Sequence, residues 1–189
     1  MKTIKTMLVG VAILFFFACD ELTDSLDTPK EVDITTTYTG VLNIGVPEVF
    51  ENPDESSMVT EYGGLDLIGN PDVADVIGTP EQIKNVEVVR VKYEYKNFSG
   101  NVDTDLENGS FQFTENIYGS YPIPDVNIAE SDLLGTVYSL SGDFSPMNES
   151  INRSKILVYL MQATATHNPA TFQVVVSFTL RLKVEVDPF

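Results

Sequence analysis

The chain has one cysteine, one histidine and no tryptophan, and its 11 Lys+Arg stand against 28 Asp+Glu for a formal net charge of −17. A single cysteine excludes an internal disulfide, and a single histidine excludes a His-rich zinc site. The shortage of basic residues argues against nucleic acid as a partner, because phosphate binding rests on clustered Lys and Arg. There is no Gly-x-Ser-x-Gly elbow, no phosphate-cradling Gly-rich loop and no Gly-x-Gly-x-x-Gly. Long apolar runs are also scarce, and none beyond the first nineteen residues approaches the length that spans a bilayer. What is present is a chain of 189 residues, 43% hydrophobic and 10% aromatic, which is enough for one domain with its own core.

The N-terminus carries an address. Lys2 and Lys5 precede an uncharged apolar run from Met7 to Ala18 (MLVGVAILFFFA). Its twelve residues reach about 18 Å as a helix, short of a bilayer core of about 30 Å, so the run reads as a signal-peptide h-region. It stops at Cys19, the only cysteine, and this stop resembles a bacterial lipoprotein processing site. Ala18 fits the small position before the cysteine, and Phe16 stands where leucine is commoner. The resemblance implies cleavage between Ala18 and Cys19 and lipid attachment at Cys19, so that the membrane becomes a partner through the lipidated cysteine. An ordinary secreted signal with a chance cysteine is the plainer alternative. Removing the first eighteen residues with their two lysines would leave 171 residues and a formal charge of −19. Such an acidic body on a triacyl anchor should stand off anionic headgroups.

Residues 19–31 read as an acidic tether, since Asp20 to Glu31 (DELTDSLDTPKE) is polar and aperiodic. Asp20 and Glu21 resemble the acidic export signal of surface lipoproteins in the Bacteroidota, whereas in enterobacteria an Asp there would imply inner-membrane retention. Asp24-Ser25-Leu26 resembles a short O-glycosylation motif of the same phylum, which makes Ser25 a candidate attachment site. Solvated linker acids are the bland reading of the same residues. The expected localisation is the outer membrane, lipid-anchored and facing the cell surface, with the periplasmic face as the alternative.

From Val32 the pattern has period two. Val32, Ile34, Tyr38, Leu42, Ile44 and Val46 share one parity, opposite Thr35, Thr37, Thr39 and Asn43. Pro47 to Ser57 is an acidic loop. Asn70-Pro71-Asp72 and Thr79-Pro80-Glu81-Gln82 are helix-start signatures, each leading into only a turn or two. Val86 to Phe98 reads as a strand with Val89, Val91, Tyr93 and Tyr95 on one face and Arg90, Lys92, Glu94 and Lys96 on the other. Asn101 to Gly109 is expected to turn, and Phe111, Phe113 and Ile117 to line a third strand. Pro122 to Asp132 reads as irregular, with a short strand between Gly135 and Leu140.

Lys155 to His167 and Thr171 to Val186, joined by Asn168-Pro169-Ala170, read as a long hairpin. In the second of these, Phe172 to Val186 alternates so strictly that a one-residue slip would bury Arg181 and Lys183. The first is apolar on both parities from Ile156 to Met161, which fits a central strand or, as the alternative, an amphipathic helix. Six to eight strands with few helices predict an all-β fold, an antiparallel β-sandwich of immunoglobulin-like type with one or two short helical connectors, over residues 32–189. A membrane barrel is excluded by parity, because the residues in phase with the terminal Phe189 are Asp187, Glu185 and Lys183.

The segment NPDVADVIGTPEQIKNVEVVRVKYEYKNFSG (Asn70 to Gly100) and the closing SFTLRLKVEV, together with the lipoprotein signal, resemble a group of uncharacterised flavobacterial lipoproteins. The resemblance implies an envelope-anchored sandwich and no activity.

Among chemistry-bearing residues, Asn101, Asp103, Asp105 and Glu107 alternate before Asn108-Gly109, an arrangement of oxygen ligands that a calcium loop could use. The Gly falls late for an EF-hand, so a solvated turn is the simpler reading, and no cofactor other than this calcium is suggested. His167 sits at the expected hairpin turn, where a turn residue is simpler than a general base. Tyr118 and Tyr121 beside Pro122 could stack on sugar rings or pack locally. Paired carboxylates are unavoidable among 28 acids and carry little weight for glycoside hydrolysis. The sequence therefore predicts a non-catalytic binding or structural module of the cell envelope, with an unknown protein or glycan partner. The alternatives are a surface adhesin or glycan-binding accessory and a hydrolase with unrecognised carboxylates.

Overall fold

The computed structural model describes residues 30–49, 52, 54–69, 73, 79–113 and 119–186. Ala18, Cys19, Ser25 and the rest of the signal and tether up to residue 29 lie outside the described residues, as do most of the helix start at Asn70, Ile117 and Tyr118. The elements in chain order are β1 (Lys30–Val46), β2 (Ser57–Asp66), a 3-10 turn (Pro80–Gln82), β3 (Ile83–Gly100), β4 (Asp105–Phe113), β5 (Ser120–Pro122) and β6 (Val126–Asn127). They continue as α1 (Ile128–Leu134), β7 (Val137–Ser139), α2 (Ser145–Ser154), β8 (Ile156–Ala165) and β9 (Ala170–Val186). Among the described residues no helix is long and apolar enough to cross a membrane.

The strands form two sheets. The first has the order β1-β9-β3-β7, and the second β2-β8-β4-β5 with β6 also on β4. Every pairing is antiparallel. The all-β antiparallel sandwich expected from the periodicity is thus what the chain forms. Its chain path, however, steps from one sheet to the other at six of its eight connections, staying in the second sheet only from β4 through β5 to β6. That double Greek key is the jelly-roll order, which differs from the two-sheet order of an immunoglobulin domain.

The expected hairpin of β8 and β9 is corrected by the same topology. β9 pairs with β1 and β3, whereas β8 pairs with β2 and β4 in the opposite sheet. The connection is held by neighbours instead of by a hairpin turn. Thr166 N–H donates to the Asp105 carbonyl at 3.0 Å, and Asn101 N–H donates to the Pro169 carbonyl at 2.9 Å. The Asn168 side chain, itself buried, accepts from Val49 N–H at 2.7 Å and donates to the Asn52 carbonyl at 3.1 Å. It pins the acidic loop after β1 against the crossover.

Other local expectations shift for physical reasons. β1 begins at Lys30, inside the stretch read as tether, because Lys30 and Glu31 already pair with Val186 and Glu185. In β3 a register shift between Val88 and Arg90 inserts one residue, so Val86 and Val88 face inward before it and Val91, Tyr93 and Tyr95 after it. Val89, expected to share the face of Val91, is left exposed at the bulge. The turn predicted over Asn101 to Gly109 is confined to its first part, and β4 begins at Asp105. Asn108, with φ 52°, and Gly109 make a bulge in that strand and not a turn between strands. The Pro122–Asp132 stretch, read as irregular, contains α1. Asn127 caps that helix by accepting from Glu130 N–H at 2.9 Å, and Gly135 closes it at φ 62°. Thr79 and Gln82 do form the predicted capping box.

The core lies between the sheets and is strongly aromatic. Tyr93 of the first sheet meets Phe111 of the second at 5.2 Å between ring centroids, and Phe178 meets Tyr159 at the same distance. Tyr159 fits only because two glycines face it. A Cβ on Gly40 of β1 or on Gly63 of β2 would fall inside the Tyr159 ring's van der Waals envelope.

The two helices close one side of the first sheet. β7 covers only Lys92–Glu94 of β3. Beyond it, Asn148 and Asn152 of α2 stand in for a strand, accepting from Val88 N–H at 2.7 Å and from Val86 N–H at 2.8 Å. Asn152 also donates to the Val86 carbonyl at 2.8 Å. At the other end Asp132 of α1 accepts from Phe98 N–H at 2.8 Å. Side chains thus satisfy an edge that would otherwise offer itself to a partner strand.

Candidate binding face

Because every strand alternates, each sheet has an outward face that can be read from the register. On the first sheet these positions carry both signs of charge: Arg90, Lys92, Lys96, Arg181 and Lys183 with Glu31, Asp33, Glu87, Glu94 and Glu185. Many are paired, Lys183 with Glu31 at 3.0 Å, Arg181 with Glu87 at 2.9 Å, Lys84 with Glu185 at 2.8 Å and Lys96 with Glu94 at 3.0 Å.

The outward face of the second sheet is built differently. Its rows across the strands run Thr60–Gln162–Ser110–Pro122 and Tyr62–Leu160–Gln112–Ser120, followed by Gly64–Val158. These central rows contain no charged residue. Acids come only at the ends, Asp66 opposite Ile156 at one and Glu107 opposite Thr164 at the other. Tyr62 is 68% exposed, Met58 70%, Val158 45% and Ile156 46%, so the apolar side chains stand in solvent. At strand spacings of about 4.8 Å and a rise of about 3.4 Å, the uncharged rows from Thr60 to Gly64 measure roughly 14 Å along the strands and, where all four strands pair, roughly 14 Å across. At the free edge of β2 the face meets a cleft of about 470 Å³ between β1 and β2, lined by Thr37, Thr39, Gly64, Asp66 and Gly69 among others.

The sequence-derived site residues fare unevenly. Asp103, Asp105 and Glu107 are not brought together: Asp103 N–H closes an Asx turn on Asn101 Oδ1 at 3.0 Å, and Asp105 Oδ1 accepts from Asn127 Nδ2 at 2.9 Å. Asp105 and Glu107 are spaced along an extended strand, which a calcium loop is not. Among the described residues no three of His, Cys, Asp and Glu are grouped to hold a metal ion. Tyr121 is buried, donates its hydroxyl to the Asp143 carbonyl and packs against Phe113, so it serves the core and not a sugar. His167 is half-buried, with Nδ1 2.9 Å from Thr166 Oγ1 and Nε2 3.8 Å from Asp54 Oδ1, a bridge between two loops.

The ionisable groups with shifted equilibria are structural. Burial pushes the Tyr93, Tyr95 and Tyr159 hydroxyls well above their usual range, and burial followed by the Asp143 charge raises Tyr121. Hydrogen bonds from Ser145 hold Asp143 low, and backbone and Thr79 hydrogen bonds do the same for Glu81. The hydrogen bond and charge of Glu31 raise Lys183, and desolvation lowers Lys155.

Tyr62, Leu160 and Gln162 were not singled out from the sequence. A signal was there: Ile156, Val158 and Leu160 are apolar on the parity opposite to buried Leu157, Tyr159 and Met161. A strand apolar on both faces, in a sandwich with one core, announces an outward surface that is not simply solvated.

No protein-family model and no curated protein matches this chain. Among solved structures it is similar to one of turnip yellow mosaic virus, at 12% identity and a TM-score of 0.36, covering 84% of this chain and 96% of that one. It is also similar to desmodium yellow mottle tymovirus, at 11% identity and a TM-score of 0.34, covering 84% of each chain. A third is the decameric BFDV capsid protein, at 9% identity and a TM-score of 0.35, covering 82% of this chain and 99% of that one. At these identities and TM-scores the likeness carries no argument about what this chain does.

Proposed function

We propose that the protein is a lipid-anchored lipoprotein of the cell envelope that acts as a non-catalytic binding module. The observation that carries the binding role is the outer face of the second sheet, where apolar side chains stand exposed without a single charge in the central rows. A strongly acidic chain that needed only solubility would spread charge there too, as it does on the other sheet.

The anchor rests on the sequence around Ala18 and Cys19, and the fold is compatible with it. β1 begins at Lys30 and runs for 17 residues, so its far end lies roughly 50 Å from the point where the N-terminal segment joins the sandwich. The pairing of Val46 with Ala170 and of Gly100 with Ala170 gathers the acidic loop, the Asn101–Thr104 turn and the His167 crossover at that far end. A chain tethered through Cys19 would hold this end outermost.

Metabolic palmitate labelling tests the anchor. Labelling should be lost in Cys19→Ser, and labelling that persists in the variant overturns the reading. Protease shaving of intact cells, with a periplasmic control protein, then separates the cell surface from the periplasmic face.

A further inference from the structure

We propose that the outer face of the second sheet is a site for a neutral polysaccharide, laid across β2, β8 and β4 and centred on Tyr62. The proposal rests on the binding-module reading above and names the ligand class.

The rows of the face match that chemistry. A sugar ring presents a sheet of C–H bonds on its faces and hydroxyls at its rim, so it needs an aromatic or aliphatic platform with hydrogen-bonding groups beside it. Tyr62 and Leu160 sit directly opposite one another, with Val158 one row away beside Gly64. Gly64, two residues on from Tyr62 along β2, has nothing within 4 Å of where a Cβ would stand, so the surface is open at that position. Thr60, Gln162, Ser110 and Gln112 form the polar border on the adjoining rows, each offering donors and acceptors without charge. Over the β2 edge lies an open depression lined by Thr37, Thr39 and Asp66, so a chain longer than the face meets further polar side chains there.

Charge decides the occupant. The chain carries a formal −17, and the acids Asp66 and Glu107 bracket the face, so an anionic polymer is repelled. A second copy would bring the same −17 against this one. A basic protein surface would be drawn to the acidic ends and loops, not to the uncharged centre. An uncharged polyhydroxyl chain loses least and matches the mixed apolar and amide surface.

Affinity electrophoresis of the full chain in non-ionic detergent, through gels containing xylan, starch, mannan, laminarin or the anionic alginate, tests this. Migration should be retarded in at least one of the four neutral gels and not in alginate alone. Tyr62→Ala and Gln162→Ala should each weaken the retardation about tenfold, the loss of one good contact, with an unchanged melting temperature because both side chains lie on the surface. Absence of retardation in all four neutral gels, retardation by alginate alone, or retardation indifferent to both variants overturns the proposal. So does a concentration-dependent dimer that Tyr62→Ala dissolves, which would assign the face to a second copy. Since none of these readouts depends on lipid at Cys19, failure of the anchor and failure of the glycan site are told apart.

Discussion

The two outer faces of this sandwich obey the same alternation and end in opposite surfaces. On the first sheet the outward residues of β9 run Gln173, Val175, Ser177, Thr179, Arg181, Lys183 and Glu185, and every row gains a charge from a neighbouring strand: Lys96, Glu94, Lys92, Arg90 and Glu87 of β3, then Asp33 and Glu31 of β1. On the second sheet the outward residues of β8 are Ile156, Val158, Leu160 and Gln162, flanked by Met58, Thr60 and Tyr62. Period two tells which side chains leave the core. It does not tell whether the surface they make is merely dissolved or is kept for a partner. That distinction comes from composition on the outward parity: mixed charge fixes register and solubility, and exposed apolar and amide rows without charge cost solubility and call for a reason.

The substitutions that separate these roles range from the interior outward. Just beneath the second face, Gly63→Ala should destabilise by about 3 kcal/mol, because the new methyl meets the packed Tyr159 ring. Its neighbour Gly64→Ala points to the open side, and should be neutral or stabilise by up to about 1 kcal/mol. Thermal or urea unfolding of the pair gives opposite signs for adjacent glycines, and equal losses would mean that the two positions do not face opposite ways.

On the first sheet, Asn152→Ala removes the side chain that serves both Val86 backbone groups. A loss of about 1–3 kcal/mol is expected, with faster hydrogen exchange at Val86. A neutral result would mean that the helix does not act as the missing strand.

Between the faces, the Tyr95 hydroxyl is buried without a hydrogen-bond partner among the described residues. Tyr95→Phe should therefore leave stability unchanged or raise it by about 1 kcal/mol, whereas a clear loss would reveal a partner. The same burial sets an alkaline limit. Tyr93, Tyr95 and Tyr159 keep their protons in the fold above the usual value of 10.0 and release them when unfolded. Stability is thus fully present below pH 10.0 and falls as pH rises above it. Tyrosinate absorbance should rise together with unfolding, and full ionisation in a folded chain would contradict the packing.

The smallest effect belongs to the charged face itself. Arg181→Ala breaks an exposed pair with Glu87 and should cost less than about 1 kcal/mol, with the difference shrinking further in added salt.

How much of this was legible depended on how local the cause was. The strands β1, β3 and β9 could be read because their buried residues alternate within the strand, and the Thr79–Gln82 capping box because it spans four residues. β2 escaped notice because Gly63 and Gly64 interrupt its alternation, and the reason for Gly63 is Tyr159, almost a hundred residues away. α1 and α2 left local marks, Asn127 three residues before Glu130, and Met147 and Ile151 four apart behind Pro146. The error over β8 and β9 was of another kind. Both strands were found, but sheet partnership is decided by contacts across the whole chain, and no feature of the connecting Asn168-Pro169 states which sheet each strand will join. The acidic run from Asp103 was read as part of one long turn, and the turn stops at Thr104 because Asp105 already pairs with Asn127, a partner more than twenty residues away.

The most direct test of the difference between the faces is to place the same charge on each and compare retention by a neutral polysaccharide. Val158, 45% exposed on the second sheet, and Val137, 54% exposed on the first, are suitable sites. Val158→Glu should abolish retardation in the gel that retards the native chain, and Val137→Glu should leave it intact. Equal retention by both variants, or loss with Val137→Glu alone, would contradict the assignment of the uncharged face as the surface this protein uses.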